Sequence, residues 1–219
     1  MLRALFEKKG NAVWISHLDL MRLFQRAFQR AQLPLKHTQG FNPRPTVSMA
    51  LPLSVGVESS CELMDFELEG IDISPDEICS KLNANLVPGV RVLQVYEQGG
   101  KIKDLTHLLC RVTLEYDRGI DQNRIEKIHT LLSGSQLIVP KRTKNGIQDQ
   151  DIIPMIKSMK VVPVSDKVLV LECLICCQNP TLNPSQICLG IELHLPDCKP
   201  DFFKCERIEL FGENGIVFR

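Results

Sequence analysis

Residues 15–56 read ISHLDLMRLFQRAFQRAQLPLKHTQGFNPRPTVSMALPLSVG, and the element order of the whole chain is best worked outward from them. Ser16 is suited to cap a helix, because its hydroxyl accepts from a free N–H of the first turn. Asp19 stands three residues on, in an acidic variant of the capping box. Ile15 and Leu20 flank the cap at the positions of a hydrophobic staple. Leu20, Leu23, Phe24, Ala27, Phe28 and Ala31 then recur at helical spacing. Pro34 is expected to end the run, since the residue before a proline avoids αR. The spacing therefore predicts a helix over Ser16–Gln32.

The other face of that helix carries Arg22, Arg26 and Arg30, four and four apart, so their side chains stack along one stripe. From His17 to Pro45 there are five Lys/Arg (with Lys36 and Arg44) against one acid, Asp19. A row of arginines without acidic neighbours suits phosphate binding, because each guanidinium offers a bidentate fork at fixed spacing. A solvated helix face reads the same way. After the helix, Lys36, His37, Thr38, Gln39, Asn42 and Arg44 crowd polar donors around Gly40, where the backbone is free to take a positive φ. Phe41 offers a stacking surface for a base, although a plug that pins the loop to the core is the expected role.

The chain has 219 residues with 26 basic and 26 acidic side chains. Net neutrality excludes a generally basic nucleic-acid coat, so any polyanion site has to come from local asymmetry. No apolar run approaches the roughly 18 residues of a membrane span. Arg3 and Glu7 stand where the apolar core of a signal peptide would lie, so a cytoplasmic protein is expected. Nine cysteines, several inside apolar runs, suit reduced thiols better than a disulfide framework.

Outward from the capped helix, Leu2–Glu7 reads as a strand, Lys8–Asn11 as a turn and Val13–Ile15 as a short extension. Thr46–Pro52 is an apolar strand candidate. Cys61–Leu68 alternates with period two, which predicts one wet face carrying Asp65 and Glu67. Ser74-Pro75 starts a helix to about Leu86, and Val90–Glu97 is a further strand. This β-α-β-β-α-β order is that of the split βαβ, ferredoxin-like unit. The second half repeats it: strand His107–Tyr116, helix Asp121–Leu132, short strand Gln136–Pro140, a hairpin of Ile152–Val162 and Lys167–Cys177, a helix from Asn183 to about Leu189, and strand Phe202–Phe211. The expected fold is α+β, two tandem ferredoxin-like domains with antiparallel sheets over residues 1–98 and 106–219. The polar stretch QGGKIKDL joins them. Lys141, Arg142 and Lys144 form a second basic patch at a hairpin tip or loop.

Cys173, Cys176 and Cys177 invite a metal reading, but on a strand side chains alternate faces. Cys173 and Cys176 would point opposite ways, and Cys173 and Cys177 would stand about 13 Å apart, too far to share a zinc with Zn–S near 2.3 Å. Small buried hydrophobes are the better reading. Phosphate-loop and dinucleotide fingerprints are absent, and no metal or cofactor is expected on the chain. His17 and His37 flank the arginine helix and are weak candidates for an acid–base pair that cuts RNA. His17 is the weaker, because the positive end of a helix disfavours imidazolium.

Phe6-x-Lys8-x-Gly10, Ile15-Ser16-His17-Leu18-Asp19, Arg22, Arg26-Ala27, Arg30-Ala31, Leu33-Pro34, Gly40-Phe41-Asn42-Pro43 and Pro52-Leu53-x-Val55-Gly56-x-Glu58-Ser59 together resemble a bacterial radical-SAM-linked domain of unknown function. That domain is encoded beside, or fused behind, a cobalamin-binding-type radical SAM protein. The resemblance is dense over residues 1–70 and looser beyond. It implies a bacterial cytosolic protein with a radical SAM partner and brings no reaction or catalytic residues. The expected architecture is also similar to that of CRISPR repeat-processing endonucleases, an analogy of fold that does not fix function. Three functions follow from these residues. The first is an RNA-binding accessory module in which Arg22, Arg26, Arg30, Lys36, Arg44 and the 141–144 patch hold phosphates while Thr38, Gly40, Phe41 and Asn42 shape the loop. The second is a metal-independent RNA endonuclease, and the third a docking adaptor for an acidic protein surface.

Overall fold

The computed structural model of the chain describes residues 1–143 and 146–219. The chain divides into two compact units, Met1–Asp104 together with Phe218–Arg219, and Leu105–Val217. Both are mixed α/β, with antiparallel strand pairing throughout the ladders described below.

The first unit comprises β1 (Leu2–Lys8), α1 (His17–Arg30), β2 (Val47–Met49), β3 (Val57–Phe66), α2 (Pro75–Asn83) and β4 (Val90–Glu97). Its strands lie in the order β4-β1-β3-β2. Ala4 and Phe6 of β1, Met64 and Phe66 of β3 and Val92 of β4 point to one face, where they meet the apolar stripes of the two helices. Phe6 packs on Phe24 with ring centroids 4.8 Å apart and Phe28 on Phe66 at 4.9 Å. Each such buried ring is worth about 1.5–3 kcal/mol of burial. That pair of contacts fixes which face of α1 turns inward.

β3 differs from its expected wet-faced alternation. From Cys61 to Phe66 it is buried on both faces, and Asp65, expected in solvent, is 3% exposed. The cause is Arg3, its cross-strand partner, which is fully buried and donates from Nε and Nη2 to the two carboxylate oxygens at 2.6 and 2.9 Å. Nη2 also donates to the Gly100 carbonyl, and Gln98 donates to Asp65. The Phe218 ring lies 5.0 Å from the guanidinium carbon. A bidentate pair of this kind, buttressed by the Gly100 carbonyl and Gln98, offsets much of the cost of taking two charges out of water, although Arg3 Nη1 is buried without a hydrogen-bond partner among the described residues.

The expected turn at Lys8–Asn11 and the extension after it are instead the end of β1 followed by a 3₁₀ helix over Gly10–Trp14. Lys8 is buried and donates from Nζ to the carbonyls of Val13 and Ile15, which anchors the entry to α1. Gly89 accepts the Lys9 N–H at 2.7 Å with φ +88. A Cβ there would stand 2.4 Å from the Lys9 oxygen, so this close strand-end approach requires glycine.

The second unit comprises β5 (His107–Glu115), α3 (Gln122–Leu132), β6 (Ile138–Thr143), β7 (Gly146–Asp151), β8 (Ile156–Pro163), β9 (Val168–Cys176), α4 (Ser185–His194) and β10 (Phe202–Phe211). Four of its strands run β10-β5-β9-β8. β6 and β7 form a separate two-stranded ribbon where a short strand was expected. α4 continues a full turn past the expected end at Leu189. Among the described residues no helix is long and apolar enough to cross a membrane. The nine cysteines are free thiols, all but Cys79 buried, and no three His, Cys, Asp or Glu among the described residues stand together as a metal set. Burial pushes the Cys177 thiol up to about 11 and the Cys205 thiol up to about 12.

Candidate nucleic-acid interface

The interface is built on α1. Ser16 caps it: the Asp19 N–H donates to the Ser16 hydroxyl at 3.2 Å, and that hydroxyl donates to the Asp19 carboxylate at 2.7 Å. Leu20, Phe24, Ala27 and Phe28 are buried, which turns the opposite stripe outward. Arg22, Arg26 and Arg30 are all exposed on it. The helix ends before Pro34 acts. Gln32 takes φ +55, Leu33 N–H donates to Phe28 O and Gln32 N–H to Gln29 O. This is a Schellman stop with a Leu33–Phe28 apolar pair, built on glutamine where glycine is usual. Pro34 follows it as a lock rather than as the breaker.

The three arginines are not equivalent. Arg22 Nη1 donates to Asp19 Oδ1 at 2.9 Å, with both side chains well exposed. The Asp19 carboxyl is held below the usual range first by the Ser16 hydroxyl and then by Arg22. In solvent such a pair is worth little, so a phosphate can compete for Arg22. The side chains of Arg26 and Arg30 make no ion pair or hydrogen bond among the described residues. None of the three is neutralised by a buried carboxylate.

Beyond the Schellman stop the chain becomes a narrow finger. Leu35 bridges to Leu68 and His37 to Pro45. Thr46 N–H donates to Lys36 O, Thr38 N–H to Arg44 O, and Arg44 N–H to the Thr38 hydroxyl. Thr38 therefore ties the neck, which is its role here. Gly40 at the tip has φ +139, a conformation that disfavours any side chain. Phe41 is not a plug. Its relative exposure is 109%, because the finger carries it beyond any neighbour in the described chain. Asn42, Pro43 and Arg44 are exposed beside it. Lys36 differs from a free phosphate ligand: its Nζ donates to Glu67 at 2.7 Å, which raises the Lys36 pKa and lowers that of Glu67.

Two grooves run along the arginine ridge. One, of about 510 Å³, is lined from α1 by Asp19, Arg22, Leu23, Arg26 and Arg30 and beyond the helix by Ile15, Asn85 and Val87. The other, of about 660 Å³, has Arg22, Gln25, Arg26 and Gln29 on its α1 wall, with Leu33–Leu35, His37 and Pro45 facing them. His37 thus shares a groove with the arginines, whereas His17, the half-buried first residue of α1, lines neither. Gln25 and Gln29 were missed in the sequence, although their one-turn spacing beside the arginine row was a signal for them. Lys141 and Arg142 belong to β6 in the second unit. Arg142 is exposed and Lys141 donates to the Thr181 carbonyl. Lys144 lies outside the described residues.

Residues 1–184 match a family described as "Uncharacterized protein conserved in bacteria (DUF2344)". No curated protein matches. Among solved structures, the chain is similar in fold to one in "Crystal Structure of a Cbf5-Nop10-Gar1 Complex", with a TM-score of 0.52, 10% identity, and coverage of 96% of this chain and 50% of that one. This chain thus spans about half the length of that relative. A second match, "Crystal Structure of an Unknown Protein from Galdieria sulphuraria", has a TM-score of 0.26 at 10% identity, covering 94% of this chain and 96% of that one.

Proposed function

The chain belongs to the bacterial family DUF2344, and within it we propose that this protein is an RNA-binding accessory module that presents RNA to a radical SAM partner in the cytoplasm. The observation that carries the RNA reading is the exposed row of Arg22, Arg26 and Arg30, two of them without an ion pair among the described residues, beside a finger that holds Phe41 fully in solvent. Cations at one-turn spacing match successive phosphates, and an exposed aromatic ring supplies a stacking platform that tolerates any base. A solvated helix face would account for the arginines but not for a phenylalanine held out of the core on a finger. The radical SAM partner rests on the family resemblance of residues 1–70. The strand orders β4-β1-β3-β2 and β10-β5-β9-β8 support reading each unit as a ferredoxin-like split βαβ, with the β6–β7 ribbon inserted in the second.

Ultraviolet crosslinking in cells, with sequencing of the captured RNA and identification of proteins in the same pull-down, tests both parts. RNA enriched on the wild-type chain and lost from an Arg22→Ala/Arg26→Ala/Arg30→Ala variant is expected, together with a radical SAM protein. Capture of protein without RNA would replace the RNA reading with that of a docking adaptor.

A further inference from the structure

The larger groove beside α1 has a chemistry that phosphate binding alone does not require. Its floor is apolar, formed by Pro34, Leu35 and Pro45 over the buried core side chains of Phe28 and Leu33. Its α1 wall carries Gln25 and Gln29 one turn apart, and their side chains make no hydrogen bond among the described residues. Each amide brings two donors and one acceptor. A sugar-phosphate backbone is satisfied by cations and gains nothing from an apolar floor. A nucleobase needs both parts: a dry surface for its π-face and mixed donors and acceptors for its edge. At about 660 Å³ the groove is within the range of small-ligand sites, about 300–1,000 Å³. Arg22 and Arg26 stand on the same wall, interleaved with the two glutamines, where the phosphate of a seated nucleotide would lie. An acidic peptide would use the arginines but leave the floor and the amides without partners.

We propose that this groove seats one unstacked nucleobase of single-stranded RNA, with its face on Pro34, Leu35 and Pro45, its edge on Gln25 and Gln29, and its phosphate on Arg26 and Arg22. This rests on the RNA-binding reading above and adds the unit recognised. The site is separate from the platform at Phe41: that ring stacks a base without reading it, whereas the glutamines distinguish one base edge from another.

The test is made on the full chain carrying Phe41→Ala, so that stacking at the finger does not contribute. A labelled uridine, adenosine or cytidine strand about ten nucleotides long is compared with an abasic ribose-phosphate strand of equal length. The expected result is that at least one base-bearing strand binds about tenfold tighter than the abasic strand. Adding Gln25→Ala and Gln29→Ala removes most of that preference and leaves abasic affinity and its salt slope unchanged. A 4-thiouridine strand is expected to crosslink within residues 25–37. Equal affinity for all strands, or a preference that survives the double glutamine change, overturns the base site while leaving the phosphate row standing. Failure of every strand to bind overturns both. Displacement of the strand by polyglutamate as readily as by a nucleoside monophosphate would assign the groove to an acidic peptide and overturn it too.

Discussion

Replacing Arg22, Arg26 and Arg30 together by alanine separates binding from stability, and the structure sets the size of each effect. Among the described residues Arg26 and Arg30 have no ion pair or hydrogen bond to lose, and Arg22 loses only an exposed pair with Asp19. Exposed substitutions of this kind change stability by about 0.5 kcal/mol or less, and alanine is at least as good a helix former as arginine. At about 2–4 °C per kcal/mol for a chain of this size, the melting temperature should move by no more than a few degrees. Binding is another matter. Each phosphate contact on a single strand contributes about 0.7 to the slope of log affinity against log salt. The two unpaired arginines give about 1.4, and Arg22 raises this toward about 2.1 to the extent that a phosphate displaces Asp19. Between 50 and 200 mM salt the wild type should therefore lose about 7- to 18-fold more affinity than the variant. Anisotropy of a labelled oligoribonucleotide over that range reads the slopes. The Asp19 carboxyl provides an internal check by NMR: without Arg22 its pKa should rise, yet stay below the ordinary value, because the Ser16 hydroxyl is the larger cause of its depression. Equal slopes in the two proteins would refute the reasoning, and a melting temperature lower by 10 °C or more would return these arginines to a structural role.

Phe41→Ala should leave the melting temperature unchanged and weaken single-strand binding by about five- to hundredfold, since a stacked base is worth about 1–3 kcal/mol; unchanged affinity would remove the finger from the interface. Arg3→Ala should cost about 3–5 kcal/mol in urea unfolding, because Asp65 is left buried without its cation, whereas the double Arg3→Met/Asp65→Leu change should recover a large part of that loss. Alkaline pH should destabilise the protein through its buried thiols. The Cys177 pKa is raised from 9.0 to about 11 by burial, so the unfolded chain loses that proton first. Stability is whole below about pH 9 and falls as pH rises toward about 11, by about 3 kcal/mol for this group. A Cys177→Ala variant should flatten that fall in a pH series of denaturation midpoints.

The capped helix was legible because its signals are local. Ser16, Asp19, Ile15 and Leu20 lie within one turn, and Phe24, Ala27 and Phe28 repeat at 3.6, so the inward face and hence the outward arginine stripe follow from spacing alone. β10 was read to the residue for the same reason. What failed depended on distant partners. Asp65 looks solvated in its strand because alternation is all that the local sequence offers, and only the register of β1 against β3 puts Arg3 opposite it. Phe41 looks like a plug because large apolar side chains are usually buried. Its exposure is decided by the cross-finger bonds of Thr38 with Arg44 and of Lys36 with Thr46, which no periodicity encodes. The helix stop is local too, in the Leu33–Phe28 and Gln32–Gln29 bonds, but it is not legible because glutamine is a rare residue at positive φ, and Pro34 offers the more familiar signal.

The same distinction sorts the charges. Arg3 and Arg26 are one residue type in one small unit, but the first has Asp65, the Gly100 carbonyl and the Phe218 ring around its guanidinium, and the second makes no hydrogen bond or ion pair among the described residues. Arg3 is fully buried and spends Nε and Nη2 on Asp65 and the Gly100 carbonyl, so it is committed to holding β1, β3 and the 98–100 segment together and lies out of reach of a ligand. An exposed guanidinium with no partner contributes nothing measurable to the fold. Arg26 and Arg30 are therefore cations that the fold does not require; Arg26 lines both grooves and Arg30 one of them. Lys36 lies between these cases: its bond to Glu67 must open, or be shared, before it can meet a phosphate. On this ordering Arg26 and Arg30 carry most of the binding, Arg22 adds to it in competition with Asp19, and Lys36 contributes least.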